Sequence, residues 1–123
     1  METLQLAVGN SAYATALKEA LLRGGGWDLV LAEIPDTALG GVLVVDSDAL
    51  DRMPLPIRDT ERVVLVTHND AEHLSRAWEA GIVSVVFENE PVSTALLAIM
   101  AAKLRVAKDT RKAPSPSTPS LGR

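Results

Sequence analysis

The chain has 123 residues, the length of one ordinary domain with a single hydrophobic core. Apolar residues make up 47% of the sequence and charged residues 23%, which excludes a disordered composition, and the absence of cysteine excludes a disulfide framework, a thiolate zinc site and a cysteine nucleophile. The net charge is −4, and within residues 1–102 there are 15 acidic and six basic side chains. Because such an acidic domain repels phosphate backbones, we expect it not to bind nucleic acid directly.

The chain opens with a predicted strand and a predicted helix. Leu4–Val8 is a short apolar run, which favours a strand. Asn10 or Ser11 can cap a helix that continues through Arg23, because apolar side chains recur there at helical spacing. The glycines at 24–26 end this helix, since glycine readily adopts the left-handed conformation of a helix C-terminus.

Two further strands follow with a short connection between them. Trp27–Ala32 predicts the second strand, and Val42–Val45 is a continuous apolar run typical of a strand buried on both faces of a parallel sheet. The residues 34–41 between them are fewer than a helical crossover needs, so we expect the helix at this place to be reduced to a turn. Prolines within 47–61 make any helix there short or irregular.

The second half of the chain alternates strands and helices more regularly. Val63–Thr67 repeats the buried-strand pattern, residues 70–80 predict a helix that stops at Gly81, and Ile82–Phe87 predicts a fifth strand. Strands that alternate with helices predict a parallel sheet with helices on both faces.

The last predicted helix begins near Pro91. We expect its inner stripe to consist of four large apolar side chains, namely Leu96, Leu97, Met100 and Leu104. Ile99 and Val106 fall off this stripe, so we expect them to be partly exposed. Residues 109–123 are rich in proline, serine and threonine and predict a disordered tail or linker.

These breakpoints resemble the receiver domain of two-component response regulators, the CheY-like fold. Val63–Thr67 is similar to the fourth strand of the family with its terminal threonine or serine, Arg76–Gly81 to the alanine-glycine ending of its fourth helix, and Val85–Glu88 to its fifth strand. The resemblance implies an α/β domain over residues 1–108, with a five-stranded parallel sheet, helices on both faces and a second helix that is shortened or missing.

The resemblance also implies where the family's phosphotransfer chemistry would lie. The phosphoacceptor position falls on Asp46 and the threonine switch position on Thr67. The acidic pair that holds Mg²⁺ in the family is replaced by Gly9 and Asn10, and the lysine position is replaced by Glu88. Because phosphoryl transfer depends on cations that neutralise the phosphate, we expect a degenerate pseudo-receiver without enzymatic activity, metal or other cofactor.

Such a module would act in the cytoplasm, through protein contacts and without a membrane segment. In the family, the face made by the fourth helix, the fifth strand and the fifth helix commonly mediates dimerisation, and here that face runs over residues 70–104. We expect a homodimer or an effector protein to bind there, at Trp78, Ile99 and Val106. For Trp78 there is a second interpretation. It lies on a helical stripe with Leu74, and this spacing favours a position in the core over a partner contact.

Two alternatives stay open. One is a phosphorylation-competent receiver with Asp46 as acceptor and Mg²⁺ held by Asp46, Asp48 or Glu33. The other is a small doubly wound enzyme or nucleotide-binding domain, whose site would lie at the carboxyl ends of the strands. Three acidic residues, Asp46, Asp48 and Asp51, follow the third strand, and we favour the interpretation that they cap the next helix. His68 and His73 are five positions apart, and we expect both to be exposed to solvent.

Overall fold

The computed structural model describes residues 2–53, 57 and 59–112, with side chains up to residue 106. Its elements in chain order are β1 (Glu2–Ala7), α1 (Ser11–Gly24), β2 (Trp27–Leu31), β3 (Val42–Asp46), α2 (Ser47–Arg52), a 3₁₀ turn (Thr60–Arg62), β4 (Val63–Thr67), α3 (Ala71–Glu79), β5 (Ser84–Phe87) and α4 (Val92–Lys112). All five predicted strands are present. The tail predicted over 109–123 begins within α4, because this helix continues to Lys112, and residues 113–123 lie outside the described residues.

The five strands form one parallel sheet in the order β2-β1-β3-β4-β5. Leu6 pairs with Val44, and Val44 pairs in turn with Val64, so the central strands are in register across the sheet. Every residue of β4 is buried, as are the first four residues of β3, because helices cover both faces at these strands. The predicted α/β fold with a CheY-like parallel sheet is confirmed.

Two apolar clusters lie on opposite faces of the sheet. The first packs α1 and α4 on one face, and its larger buried members are Leu4, Leu6, Tyr13, Leu17, Leu21, Val44, Val64, Val66 and Ile99. The second packs α2 and α3 on the other face, and its larger buried members are Leu43, Val45, Leu50, Met53, Val63, Leu65 and Ile82. Side chains of a strand alternate between the faces, so each central strand contributes to both clusters.

No helix connects β2 to β3, as predicted, and a loop over 32–41 takes its place. Two buried polar side chains fix this loop. The amide of Gln5 donates to the Asp36 carbonyl at 2.8 Å and accepts from the Asp36 N–H at 2.7 Å. The guanidinium of Arg62 donates to the carbonyls of Thr37, Leu39 and Gly41. The loop thus gains from side chains the hydrogen bonds that a helix would have made internally.

Gly41 lets the loop enter β3 close to β1. Its φ is +97°, and a Cβ there would lie 2.0 Å from the Thr3 carbonyl oxygen. Any other residue would therefore clash with the backbone of β1, so this position requires glycine.

The structure corrects the predicted stripe of α4. Ile99 is fully buried, whereas Leu97, Met100 and Leu104 are exposed, so Ile99 lies in the core and not on a partner surface. The inner face also contains Ala95 and Ala102, both fully buried. The prediction was wrong because it assigned the largest side chains to the core. The fourth predicted member of the stripe, Leu96, is half-buried and packs against the first cluster, and two of the three fully buried residues of this helix are alanines. Val106 is half-buried.

The core interpretation of Trp78 was also wrong, because 73% of this side chain is exposed. Ala77 is the buried residue of α3, and the Ile82 N–H returns to the Ala77 carbonyl at 3.0 Å across Gly81, which has a φ of +79°. This turn closes the helix on its alanine side and leaves the indole outside. The alternative interpretation, a partner contact, is consistent with the exposure of Trp78.

Candidate functional site

The five positions implied by the resemblance lie at one end of the sheet. Gly9 and Asn10 follow β1, Asp46 and Thr67 end β3 and β4, and Glu88 follows β5. The carboxyl ends of parallel strands meet at the same edge, so residues distant in sequence become neighbours there. The ends of β1, β3, β4 and β5, with the loops that follow them, therefore form the candidate site.

Asp46 joins two loops through both oxygens of its carboxylate. Oδ1 accepts the N–H of Ala49 at 2.8 Å, which makes Asp46 the N-cap of α2, and Oδ2 accepts the N–H of Gly9 at 2.7 Å. A Cβ at position 9 would lie 3.3 Å from this Oδ2, so glycine gives the carboxylate room to reach the backbone. The side chain at the phosphoacceptor position thus forms a structural link between the β1–α1 loop and α2.

The other acidic residues after β3 have separate contacts. Asp48 lies in the first turn of α2, where a negative charge interacts favourably with the helix dipole. Asp51 forms an ion pair with Arg76 of α3. The sequence analysis favoured helix capping for the acidic residues after β3, and Asp46 does cap α2.

Asn10 and Glu88 hydrogen-bond to one another. The Asn10 Nδ2 donates to Glu88 Oε1 at 2.9 Å, and the Asn10 Oδ1 accepts the N–H of Tyr13 at 3.1 Å as the N-cap of α1. Asn10, at one of the acidic-pair positions, and Glu88, at the lysine position, are therefore joined by a hydrogen bond from a neutral amide to a carboxylate. Burial, with the carboxylates of Glu90 and Glu88 as further causes, raises the pKa of Tyr13.

Thr67 is buried, and its hydroxyl bonds to a residue that the sequence analysis did not single out. The Thr67 Oγ1 lies 2.6 Å from the Oγ of Ser47, the first residue of α2. The one signal for Ser47 in the sequence was its place directly after Asp46. This bond ties the end of β4 to the start of α2.

The two histidines lie close together. Their ring centroids are 5.1 Å apart, because His68 follows β4 directly and His73 lies in the first turn of α3. His68 is exposed as predicted, with its Nε2 3.7 Å from Glu88 Oε2. The prediction was wrong for His73, whose side chain is 21% exposed and whose Nδ1 lies 2.7 Å from Asp70 Oδ1. The prediction used the spacing of two residues on one helix, but only His73 is helical, since His68 precedes α3.

Asp70 is the N-cap of α3, and its carboxylate accepts the backbone N–H of His73 at 2.9 Å. This backbone hydrogen bond, followed by the bond to the His73 ring, lowers the pKa of Asp70. The two histidines, with Asp46, Ser47, Asp48 and Glu88, line a cleft of about 90 Å³ at the end of the sheet.

The donor groups at this edge do not fit the Mg²⁺ site of the family. Mg²⁺ requires near-octahedral oxygen ligands that include carboxylates. Both oxygens of Asp46 already accept backbone N–H groups, Gly9 has no side chain, and the Asn10 side chain is bonded to Glu88. Among the residues that the structure describes, no three histidine, aspartate or glutamate side chains are placed to hold a metal ion.

Glu33, another acidic side chain considered for Mg²⁺, lies in a neighbouring cleft. This cleft of about 220 Å³ lies beside α2 and is lined by Glu33, Asp46, Asp48 and Arg52. The arginine places a fixed positive charge among these three acidic residues. Across the described residues, no helix is long and apolar enough to span a membrane.

Comparison with known proteins gives structural matches and no sequence matches. No protein-family model and no curated protein matches the sequence. The receiver domain of ChxR from Chlamydia trachomatis superposes with a TM-score of 0.61 at 15% identity, covering 83% of this chain and 98% of that one. The response regulator StyR gives a TM-score of 0.65 at 19% identity, with 94% and 66% of the two chains covered. A response regulator receiver domain from Rhodospirillum rubrum gives 0.52 at 12% identity, with 88% and 94% covered. The likeness covers most of the chain, and the protein therefore has the fold of the CheY-like receiver domains of response regulators.

Proposed function

We propose that this chain is a regulatory domain of signal transduction that acts by protein contacts and not by phosphorylation of Asp46. The observation that carries the proposal is the state of the Asp46 carboxylate, which accepts one backbone N–H on each oxygen, from Gly9 and Ala49. An acceptor carboxylate has to direct a lone pair of one oxygen at the phosphoryl group, and these two hydrogen bonds fix the orientation of the Asp46 carboxylate. Each hydrogen bond to a charged acceptor contributes roughly 1.5–3 kcal/mol, so turning the carboxylate away from Gly9 and Ala49 carries a cost.

The charges around Asp46 also disfavour an incoming phosphoryl group. Asp48 and Glu88 line the same cleft, and Glu88 has the opposite charge to the lysine of the family. Catalysis of phosphoryl transfer consists largely of positioning and of neutralising negative charge. Three carboxylates around one cleft oppose that neutralisation. The proposed domain is accordingly not an enzyme and requires no Mg²⁺ or other cofactor.

The proposed partners are a second copy of the chain or an effector protein, met in the cytoplasm and without direct contact to nucleic acid. On the face made by α3, β5 and α4, Trp78 and Val83 are exposed to 73% and 67%. Exposed large apolar side chains mark contact surfaces when they occur together on one face. Ile99 has no role in this surface, because it is buried in the core.

The test is treatment with acetyl phosphate, or with beryllofluoride, in the presence of Mg²⁺, with a conventional receiver domain as the positive control. Intact mass should show no adduct, and the amide resonances of Gly9 and Ala49 should stay in place because their hydrogen bonds to Asp46 persist. A covalent adduct that disappears in Asp46→Asn would contradict the proposal.

A further inference from the structure

The strand β2 forms an edge of the sheet that the described part of the chain leaves uncovered. In that part β2 pairs with β1 alone, and none of the five residues of β2 is buried. The loop over 32–41 that follows the strand leads away from this edge, because the backbone of Asp36 is bonded to Gln5 of β1, on the inner side of β2. The backbone groups of an uncovered edge strand are a template for a further strand.

The hydrogen bonds to β1 show which backbone groups of β2 point outward. The N–H of Ala32, the residue after β2, donates to the Leu6 carbonyl of β1 at 3.1 Å. In a parallel pair alternate residues of a strand bond to the same neighbour, so three residues of β2 direct their backbone groups away from β1, namely Trp27, Leu29 and Leu31. These outward groups have no hydrogen-bonding partner among the described residues.

The opposite edge strand, β5, has an outward group occupied. The Glu88 N–H donates to the Thr67 carbonyl of β4, so the N–H of the preceding residue, Phe87, points away from β4. It is bonded there to the Glu90 carboxylate at 2.9 Å. Among the described residues no side chain does the same for β2, so β2 is the edge that can accept another strand.

An apolar cleft of about 430 Å³ lies between α1 and the ends of β1 and β2. Its larger apolar side chains are those of Leu6, Val8 and Leu31, and Leu31 is 60% exposed. Side chains alternate between the faces of a strand, so Leu31 lies on the same face as Leu29, which packs against the cluster under α1. An added strand would therefore direct every second side chain to the α1 face, where the cleft can receive an apolar one.

Charge indicates the chemistry of the occupant. The charged residues of the cleft are Lys18 of α1 and Glu33. Glu33 lies two residues beyond the end of β2, so a segment paired along the strand meets Lys18. Lys18 has no ion pair with any other described residue, and its charge is thus available to a carboxylate of the added strand.

The same lysine disfavours a second copy of the chain as the occupant. Two copies of β2 would pair edge to edge about a two-fold axis near Leu29, the middle residue of the strand. The two α1 helices would then lie side by side, and Lys18, near the middle of α1, would approach Lys18 of the second copy. Like charges that meet at a two-fold axis cost free energy, whereas an acidic segment of another protein has no such repulsion.

We propose that β2 binds an extended segment of a partner protein as a sixth strand, with an apolar side chain in the cleft and an acidic side chain, two positions away on the same face, at Lys18. Main-chain hydrogen bonds to the outward groups of β2 would provide affinity, and the alternate side chains would provide specificity. The inference rests on the proposed function, because it names a contact surface for a domain that acts by protein contacts. The two fail separately, since the adduct experiment on Asp46 does not involve β2.

The surface is tested with two blocked heptapeptides, T-V-T-E-T-V-T and T-V-T-K-T-V-T, whose palindromic order fits β2 in either direction. Hydrogen exchange measured by NMR should slow at the Leu29 and Leu31 amides when the glutamate peptide binds. We expect a Kd of roughly 0.1–1 mM, because a short segment is ordered only on binding. The lysine peptide should bind about tenfold more weakly or worse. Unchanged exchange at both amides, or equal affinities for the two peptides, would overturn the proposal.

Variants separate the contribution of the edge from that of the charge, and thermal melting checks that each is folded. Leu31→Pro removes an outward N–H and keeps the bonds to β1, so it should weaken binding about tenfold, and Leu31→Ala, which keeps the N–H, should weaken it less. Lys18→Glu should reverse the preference between the two peptides. Arg23→Glu makes the same charge change on an exposed residue of α1 outside the cleft and should leave the preference unchanged.

Two results of these measurements would also overturn the proposal. One is a preference for the glutamate peptide that persists in Lys18→Glu, a surface variant that does not depend on the fate of Leu31→Pro. The other is slow exchange at Leu29 and Leu31 without any peptide in a protein that sedimentation shows to be a dimer, which would make a second copy the occupant of β2.

Discussion

Glu88 reverses the charge that the receiver resemblance places after β5, and in the structure its carboxylate accepts a hydrogen bond from Asn10 and lies near His68. Asn10 donates its amide to Glu88 while its carbonyl caps α1. Asparagine suits both tasks because it has a donor and an acceptor at the end of a short side chain. The two replaced positions therefore compensate one another.

Asn10→Asp should keep the cap of α1 and lose the donor to Glu88. Two carboxylates would then face each other, so we expect a loss of about 1 kcal/mol in the free energy of unfolding near neutral pH. Chemical denaturation measures the loss, and the double variant Asn10→Asp with Glu88→Gln should recover most of it because the like charge is removed. Equal losses in the single and double variants would contradict this explanation.

Asp70 gives the fold a dependence on acid pH. Its pKa is lowered in the folded state, first by the N–H of His73 and then by the His73 ring. A group with a lowered folded pKa contributes stability that is complete above its unfolded pKa, about 3.9 for aspartate, and that is lost as the pH falls through the folded value.

Asp70→Asn should therefore lower the melting temperature at pH 7, while the gap to the unchanged protein should close as the pH falls below about 4. Asparagine still accepts the capping hydrogen bond, so the variant isolates the charge. Melting curves across the acid range measure the gap. A gap that stays constant with pH would show that the charge of Asp70 does not stabilise the fold.

At the scale of secondary-structure elements, the loop over 32–41 replaces a helix and depends on buried polar groups in other elements. Gln5 of β1 holds the backbone of Asp36, and Arg62 holds three carbonyls of the loop. A buried polar side chain is unfavourable unless its hydrogen bonds are satisfied, and the loop supplies the partners of Gln5. The loop and these two side chains thus stabilise one another.

Gln5→Leu should destabilise the protein by about 2–3 kcal/mol, because it leaves the N–H and carbonyl of Asp36 without their partner. Hydrogen exchange at the Asp36 amide should accelerate more than exchange at the Gly9 amide, which is bonded to Asp46 instead. Unchanged stability would mean that the loop finds other partners when Gln5 is lost.

The corrected face of α4 yields a second prediction for an element. Ile99→Asp should unfold the domain, because it buries an unpaired charge at a cost of several kcal/mol, whereas Met100→Asp should remain folded. Far-UV circular dichroism and thermal melting of the two neighbouring variants measure the difference. A folded Ile99→Asp protein would contradict the assignment of Ile99 to the core.

At the scale of the whole molecule, ligand binding can be read from global stability. A ligand stabilises a protein only in proportion to its occupancy of the folded state. The donor groups around Asp46 do not fit Mg²⁺, so about 10 mM Mg²⁺ should change the melting temperature by less than about 1 °C. A rise of several degrees that is absent in Asp46→Asn would show a metal site that the donor geometry argues against.

The sequence by itself determined the layers of the molecule. Continuous apolar runs at 42–45 and 63–66 predicted strands buried on both faces, and the short connection at 34–41 predicted the missing helix. These signals are local, because periodicity, turn residues and connection lengths act over a few neighbouring positions.

Only the tertiary structure decided the contacts of the site and the buried face of α4. Asp46 meets Gly9 across 37 positions and Asn10 meets Glu88 across 78, because the order of the parallel strands brings their carboxyl ends together. The fully buried residues of α4 are Ala95, Ile99 and Ala102, whereas Leu97 and Leu104 are exposed. Helical periodicity finds an apolar helix, but the space between helix and sheet selects which of its apolar faces is buried.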